Sequence, residues 1–162
     1  MLRILFLLLL MLGVGILQAQ QSHQRLRSKL SIYDLSTQKV HVIYTMDAIF
    51  EAPNWSPDGG SILFNQGGQL FTIPVNGGQP VAIDLKGLGR CNNDKGFSPD
   101  GKQIAFSCLG QAKGSQIFTV PSGGGEPKQI VPETPSYFHA YSPDGKYLAF
   151  VARRNGNFVS IR

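Results

Sequence analysis

The chain has 162 residues and a formal net charge of +5, fifteen basic side chains standing against ten acidic. That excess is mild. Its visible clusters, Arg25-Arg27-Lys29 and Arg153-Arg154, have no interleaved aromatics, which argues against a nucleic-acid partner and for solvated linker and loop charges.

Met1-Leu2-Arg3 is a short basic start, 4–17 is an unbroken apolar run, and Gln18-Ala19-Gln20 returns to polar sequence. This reads as a secretory signal peptide over 1–19. The run is shorter than the roughly 20 residues that cross a bilayer, so no stable membrane span is expected, an uncleaved anchor being the alternative. Residues 20–29 read as a linker. A half blade follows over 30–45, with one strand at 31–35 and a second at 40–44.

Ser-Pro-Asp-Gly then occurs three times, beginning at Ser56, Ser98 and Ser142, with spacings of 42 and 44 residues. Each copy follows an aromatic residue (Trp55, Phe97, Tyr141) and precedes a short apolar run: Ile62-Leu63-Phe64, Ile104-Ala105-Phe106 and Leu148-Ala149-Phe150. A repeat of about 40–45 residues with several short strands is the size of one four-stranded propeller blade. The pattern predicts a blade over 48–85, another over 91–131 and an incomplete one over 138–162. The fold class is all-β: a β-propeller of four-stranded antiparallel blades, with about three blades present.

The turn residues carry a local reason. Pro57, Pro99 and Pro143 fix φ for the second turn position; Asp58, Asp100 and Asp144 suit the third; Gly59, Gly101 and Gly145 accept the left-handed backbone that follows. A type I turn with a glycine bulge predicts a three-residue hairpin loop. The glycine stretches at 77–78 and 123–125 predict a second hairpin in each of two blades. Trp55, Phe97 and Tyr141 share one repeat position and are expected to pack between blades.

Cys91 and Cys108 flank the second turn almost symmetrically. A plain two-residue loop would set them opposite each other as a candidate disulfide, which an exported chain could oxidise; a glycine bulge would slip the register and point them to opposite faces. The residues favour the bulge.

No catalytic constellation emerges. His23, His41 and His139 are scattered, without carboxylates or cysteines at metal-ligand spacing. The three turn aspartates stand singly, whereas a calcium loop clusters its oxygens. Ser122-Gly123-Gly124-Gly125 lacks the lysine of a phosphate loop. The expectation is no enzyme, no catalytic or metal residues and no cofactor.

These motifs resemble the WD-like β-propeller repeat of the TolB family, in the stretches 55–64, 97–106 and 141–150 with third strands at 70–73 and 117–120. The resemblance implies an exported, usually six-bladed propeller whose rim or channel mouth binds proteins or other ligands at the cell envelope, periplasmic or secreted. Six blades would need roughly 260 residues. The chain is therefore expected to be an N-terminal half or fragment, with self-association through open blade edges as an alternative. Similar repeats form the gating propeller of prolyl oligopeptidase-type hydrolases and parts of some lyases. A hydrolase would need a G-x-S-x-G elbow, absent from this sequence. A truncated product without function of its own completes the alternatives.

Overall fold

A computed structural model describes residues 26–110 and 114–161. The segment read as a signal peptide and His23 lie outside the described residues. Among those described there are thirteen strands and no helix, so no helix is long and apolar enough to cross a membrane.

The strands form four antiparallel sheets, each built from consecutive elements. β1 (Ser28–Asp34) pairs with β2 (Lys39–Met46). β3 (Phe50–Trp55), β4 (Ser61–Gln66), β5 (Gln69–Pro74) and β6 (Val81–Ala82) make the first four-stranded blade. β7 (Cys91–Phe97), β8 (Gln103–Cys108), β9 (Gln116–Pro121) and β10 (Lys128–Val131) make the second. β11 (Ser136–Tyr141), β12 (Leu148–Arg154) and β13 (Asn157–Ile161) form a third sheet. β1 begins inside the stretch read as linker, because Ser28 and Lys29 pair with Met46 and Thr45. β11 likewise begins at Ser136, two residues before the expected blade start.

The second strand of each complete blade explains why the sheets stack. Ile62 and Phe64 face one way and join Leu30, Ile73, Tyr44 and Phe50. Leu63 faces the other way and joins Leu70, Ile104, Phe106, Phe118 and Val120. In β8 the same alternation sends Ala105 toward Ile117 and Phe138 of the next boundary. Both faces of these strands are covered, which is why they read as continuous apolar runs and not as alternating ones. Each fully buried Phe, Leu or Ile contributes about 1.5–3 kcal/mol. The core therefore lies between blades, in successive slabs.

Backbone contacts tie the slabs together. Cys91 N–H donates to Gly68 O at 2.9 Å, and Gly125 N–H donates to Asp84 O at 2.8 Å. A Cβ on Gly124 would stand 2.9 Å from the Asp84 nitrogen, so this hairpin glycine serves close approach as well as its positive φ of 89°.

The three Ser-Pro-Asp-Gly turns are alike and differ from the expected three-residue loop. Ser56 N–H donates to Ser61 O at 2.9 Å, which encloses four residues. The return bond is not made by the Ser56 carbonyl. Ser61 N–H donates instead to Ser56 Oγ at 2.9 Å, and Ser56 Oγ–H donates to Asp58 Oδ1 at 2.5 Å. Asp58 Oδ1 also accepts the Gly60 N–H at 3.0 Å. The same three bonds recur around Ser98–Asp100 and Ser142–Asp144. The serine hydroxyl thus widens the loop by one residue, and the glycines after it have φ of 71–73°.

These bonds hold all three aspartates below the usual carboxylate range, the serine hydroxyl first and the backbone N–H second. A carboxylate depressed in the folded state favours folding above its unfolded value, near 3.8, and loses that contribution as pH falls toward the folded value. Unfolding transitions followed in urea are therefore expected to weaken below about pH 4. The triple variant Ser56→Ala/Ser98→Ala/Ser142→Ala should flatten that dependence. An unchanged acid limb in that variant would refute the serine assignment.

Candidate functional site: a polar cavity at the inner ends of the blades

The turns lie at the far end of each inner strand; the opposite end holds a different kind of surface. β7 is the least apolar of the inner strands, reading Cys91-Asn92-Asn93-Asp94-Lys95-Gly96-Phe97. Near the turn its register on β8 is regular: Phe97 opposes Ile104, Gly96 opposes Ala105 and Lys95 opposes Phe106. Beyond Lys95 the register shifts, and Cys91 stands directly opposite Cys108. Residues 92–94 therefore leave the ladder as a short excursion, shaped by an Asp94 N–H bond to Asn92 Oδ1 at 2.9 Å.

Both ends of the excursion are fixed. At one end Cys91 and Cys108, both buried, have Cα atoms 3.9 Å apart and are joined through their sulfurs. The residues had favoured opposite faces for this pair. The wider turn displaces the register further than a glycine bulge would, and the excursion in β7 restores the cross-strand pairing. At the other end Lys95, only 4% exposed, donates from Nζ to Ala52 O of the preceding blade at 2.6 Å. Burial pushes its ammonium down to about 8, against the pull of Asp94 and Glu51. Ala52 takes a φ of 52° at the irregular step of β3, which presents its carbonyl to the lysine.

Beside the excursion lies a cavity of about 520 Å³ lined by three blades: Glu51 and Asn65 from the first, Asn92, Asn93 and Asp94 from the second, Tyr137 from the third. Glu51 and Asn65 are cross-strand partners and share a face. Burial raises the Asp94 carboxyl above its ordinary value, opposed by the nearby His139. The surface offers many acceptors and two carboxylates.

The residues singled out from sequence do not converge on this cavity. Phe97 is half-buried against the core between the first two blades, and Tyr141 packs edge-on to Phe138 with centroids 5.7 Å apart. Trp55 departs from the expected packing between blades: it is 54% exposed and lines a shallow pocket with Leu30, Tyr33 and Ile62. The two-stranded sheet before it covers Ile62 and Phe64 but leaves the indole in the open. His41 and His139 are exposed on β2 and β11. Among the described residues no group of three His, Cys, Asp or Glu is placed to hold a metal ion. Sequence reasoning missed Glu51, Asn65, Lys95 and Tyr137. The one available signal was Asn-Asn-Asp-Lys, a polar stretch inside a strand whose repeat partners are less polar.

Antiparallel sheets of consecutive strands, stacked face to face in chain order, define a β-propeller. The chain belongs to the family of the TolB beta propeller domain, which it matches over residues 18–162. It is 39% identical over 134 residues to the uncharacterized protein Atu1656 of Agrobacterium fabrum, covering 82% of this chain and 46% of that one. A TolB-assigned structure from Agrobacterium tumefaciens is similar at a TM-score of 0.79 and 38% identity, over 83% of this chain and 49% of that one. TolB of Acinetobacter baumannii is similar at a TM-score of 0.68 and 20% identity, over 82% and 34% of the two chains. The chain thus spans about half the length, or less, of the relatives it matches. Enzymes share the fold too: the tricorn protease and an oligogalacturonate lyase in complex with manganese are similar at TM-scores of 0.56 and 0.60.

Proposed function

We propose that this chain is an exported, non-enzymatic propeller module that binds a protein partner at the cell envelope. The observation that carries the reading is the cavity at the inner strand ends. It is assembled from three successive blades, and its lining of carboxylates and amides offers hydrogen bonds without the nucleophile, base and orienting group that acyl transfer requires. Membership of the TolB propeller family and the basic-then-apolar leader support an envelope location.

The test has two readouts. The chain is expressed with its own leader in a Gram-negative host, and the osmotic-shock fraction is analysed by mass spectrometry. A soluble product beginning at Gln20 is expected there. The purified mature chain, immobilised, should then retain an envelope protein saturably. Full-length product confined to the cytoplasm, or no envelope protein held by folded bait, would overturn the reading.

A further inference from the structure

The repeat itself exposes an anomaly at the cavity. Ser107 on β8 is fully buried, and its Oγ accepts the Phe138 N–H of the next blade at 2.8 Å. Asn65 holds the equivalent place on β4, one residue after the buried Phe64 as Ser107 follows Phe106. At this earlier boundary the facing strand is β7, which makes its excursion here. Asn65 is 6% exposed, and its Oδ1 has no hydrogen-bond partner among the described residues. A buried acceptor left unpaired is costly. The Asn65 side chain lines the same cavity as Glu51 and Asp94, with its Oδ1 shielded in the wall.

The remaining groups point to one ligand chemistry. Glu51 and Asp94 present carboxylate acceptors, and they approach from two blades. The neighbouring Lys95 ammonium donates to Ala52 O, while both carboxylates pull on it. Tyr137 offers an aromatic ring from the third blade, and Ile49 stands 55% exposed at the margin as apolar cover for a side-chain stem. A planar guanidinium carries five N–H donors, no acceptor, and a face that stacks on aromatic rings. Few other protein groups could serve several acceptors in different directions together with a ring.

We propose that the cavity receives an arginine side chain of the protein partner, with Glu51 and Asp94 pairing its charge. The assignment rests on the binding-module reading above and adds the chemistry that the partner must present.

The experiment is calorimetric titration of the mature chain with acetyl-Gly-Arg-Gly-amide, the same peptide carrying citrulline, and agmatine as a free cation. The arginine peptide is expected to bind at least about tenfold more tightly than the citrulline peptide, because a hydrogen bond to a charged group is worth about 1.5–3 kcal/mol. Asp94→Asn and the more exposed Glu51→Gln, both checked for native circular dichroism, should each lower that affinity by a similar factor. Equal binding of arginine and citrulline peptides, or affinities unchanged in both variants, would overturn the pocket. Agmatine binding as tightly as the peptide would overturn the assignment to a protein partner. Retention of an envelope protein that is indifferent to Glu51→Gln and Asp94→Asn would leave the module reading intact and sink this one. Arginine binding with no protein retained would do the reverse.

Discussion

Replacing Phe106 by alanine is expected to lower the free energy of unfolding by about 3–5 kcal/mol, the usual range for a buried phenylalanine. Its ring is fully buried on β8 and stacks on Phe118 with centroids 5.9 Å apart. It also belongs to the cluster that joins the first blade to the second, with Leu63 and Leu70 on the other side. The truncation therefore leaves a cavity at the seam between two sheets, where neither sheet can close over it without moving as a body. Since the principal contacts between blades among the described residues run between neighbours in chain order, weakening one seam should uncouple the blades on either side of it. Urea denaturation followed by tryptophan fluorescence would report it through Trp55, which lies in the first blade. Because such a loss approaches the whole stability of a small domain, Phe106→Leu gives a milder variant in which the native state survives. Tyr147→Ala, at an exposed position, is the control and should change stability by less than about 0.5 kcal/mol. A loss below about 1 kcal/mol in Phe106→Ala would mean that the blade faces do not carry the core.

What the sequence made legible was local. Pro57-Asp58-Gly59 and its two copies determine bends within four residues, and residues 62–64 and 104–106 are continuous apolar runs buried on both faces, whereas Ala149 in the third copy is exposed. Those features need no knowledge of distant neighbours, so the blades and their order could be read directly. Register could not. It depends on whether Ser98 pairs with Lys102 or with Gln103, and the wider pairing, in which Gln103 N–H bonds Ser98 Oγ, is invisible to a period-two pattern. Trp55 shows the same limit. Repeat equivalence equates it with Phe97 and Tyr141, yet its exposure depends on the sheet that happens to face it. The cavity was still harder to see, since Glu51, Asn65, Asp94 and Tyr137 are brought together only by stacking three blades. No spacing along the chain announces a site whose parts are each unremarkable in their own strand.

Exchanging Cys91 and Cys108 together for serine is expected to cost about 3 kcal/mol of stability, the loop-entropy estimate for a cross-link spanning 17 residues. The two strands are already joined by a turn, so the bridge adds most where the turn's influence ends, at the far side of the 92–94 excursion. A complication is that two serines would place hydroxyls at sites 5% and 0% exposed, which carries its own penalty. Wild-type protein held in dithiothreitol separates the effects, for it loses the bridge and gains no hydroxyl. Agreement of its urea midpoint with the serine variant would assign the loss to the cross-link. Thiol titration of the denatured, unreduced chain should find no free thiol. Two titratable thiols would show that the bridge does not form. An oxidised chain with an unshifted midpoint on reduction would show that it adds nothing. The same reduction loosens one end of the excursion, leaving it to the Cys91 N–H bond to Gly68 O there and to Lys95 and Ala52 at the other end. Arginine-peptide affinity should therefore fall in reduced wild type, although neither cysteine is assigned a bond to the ligand.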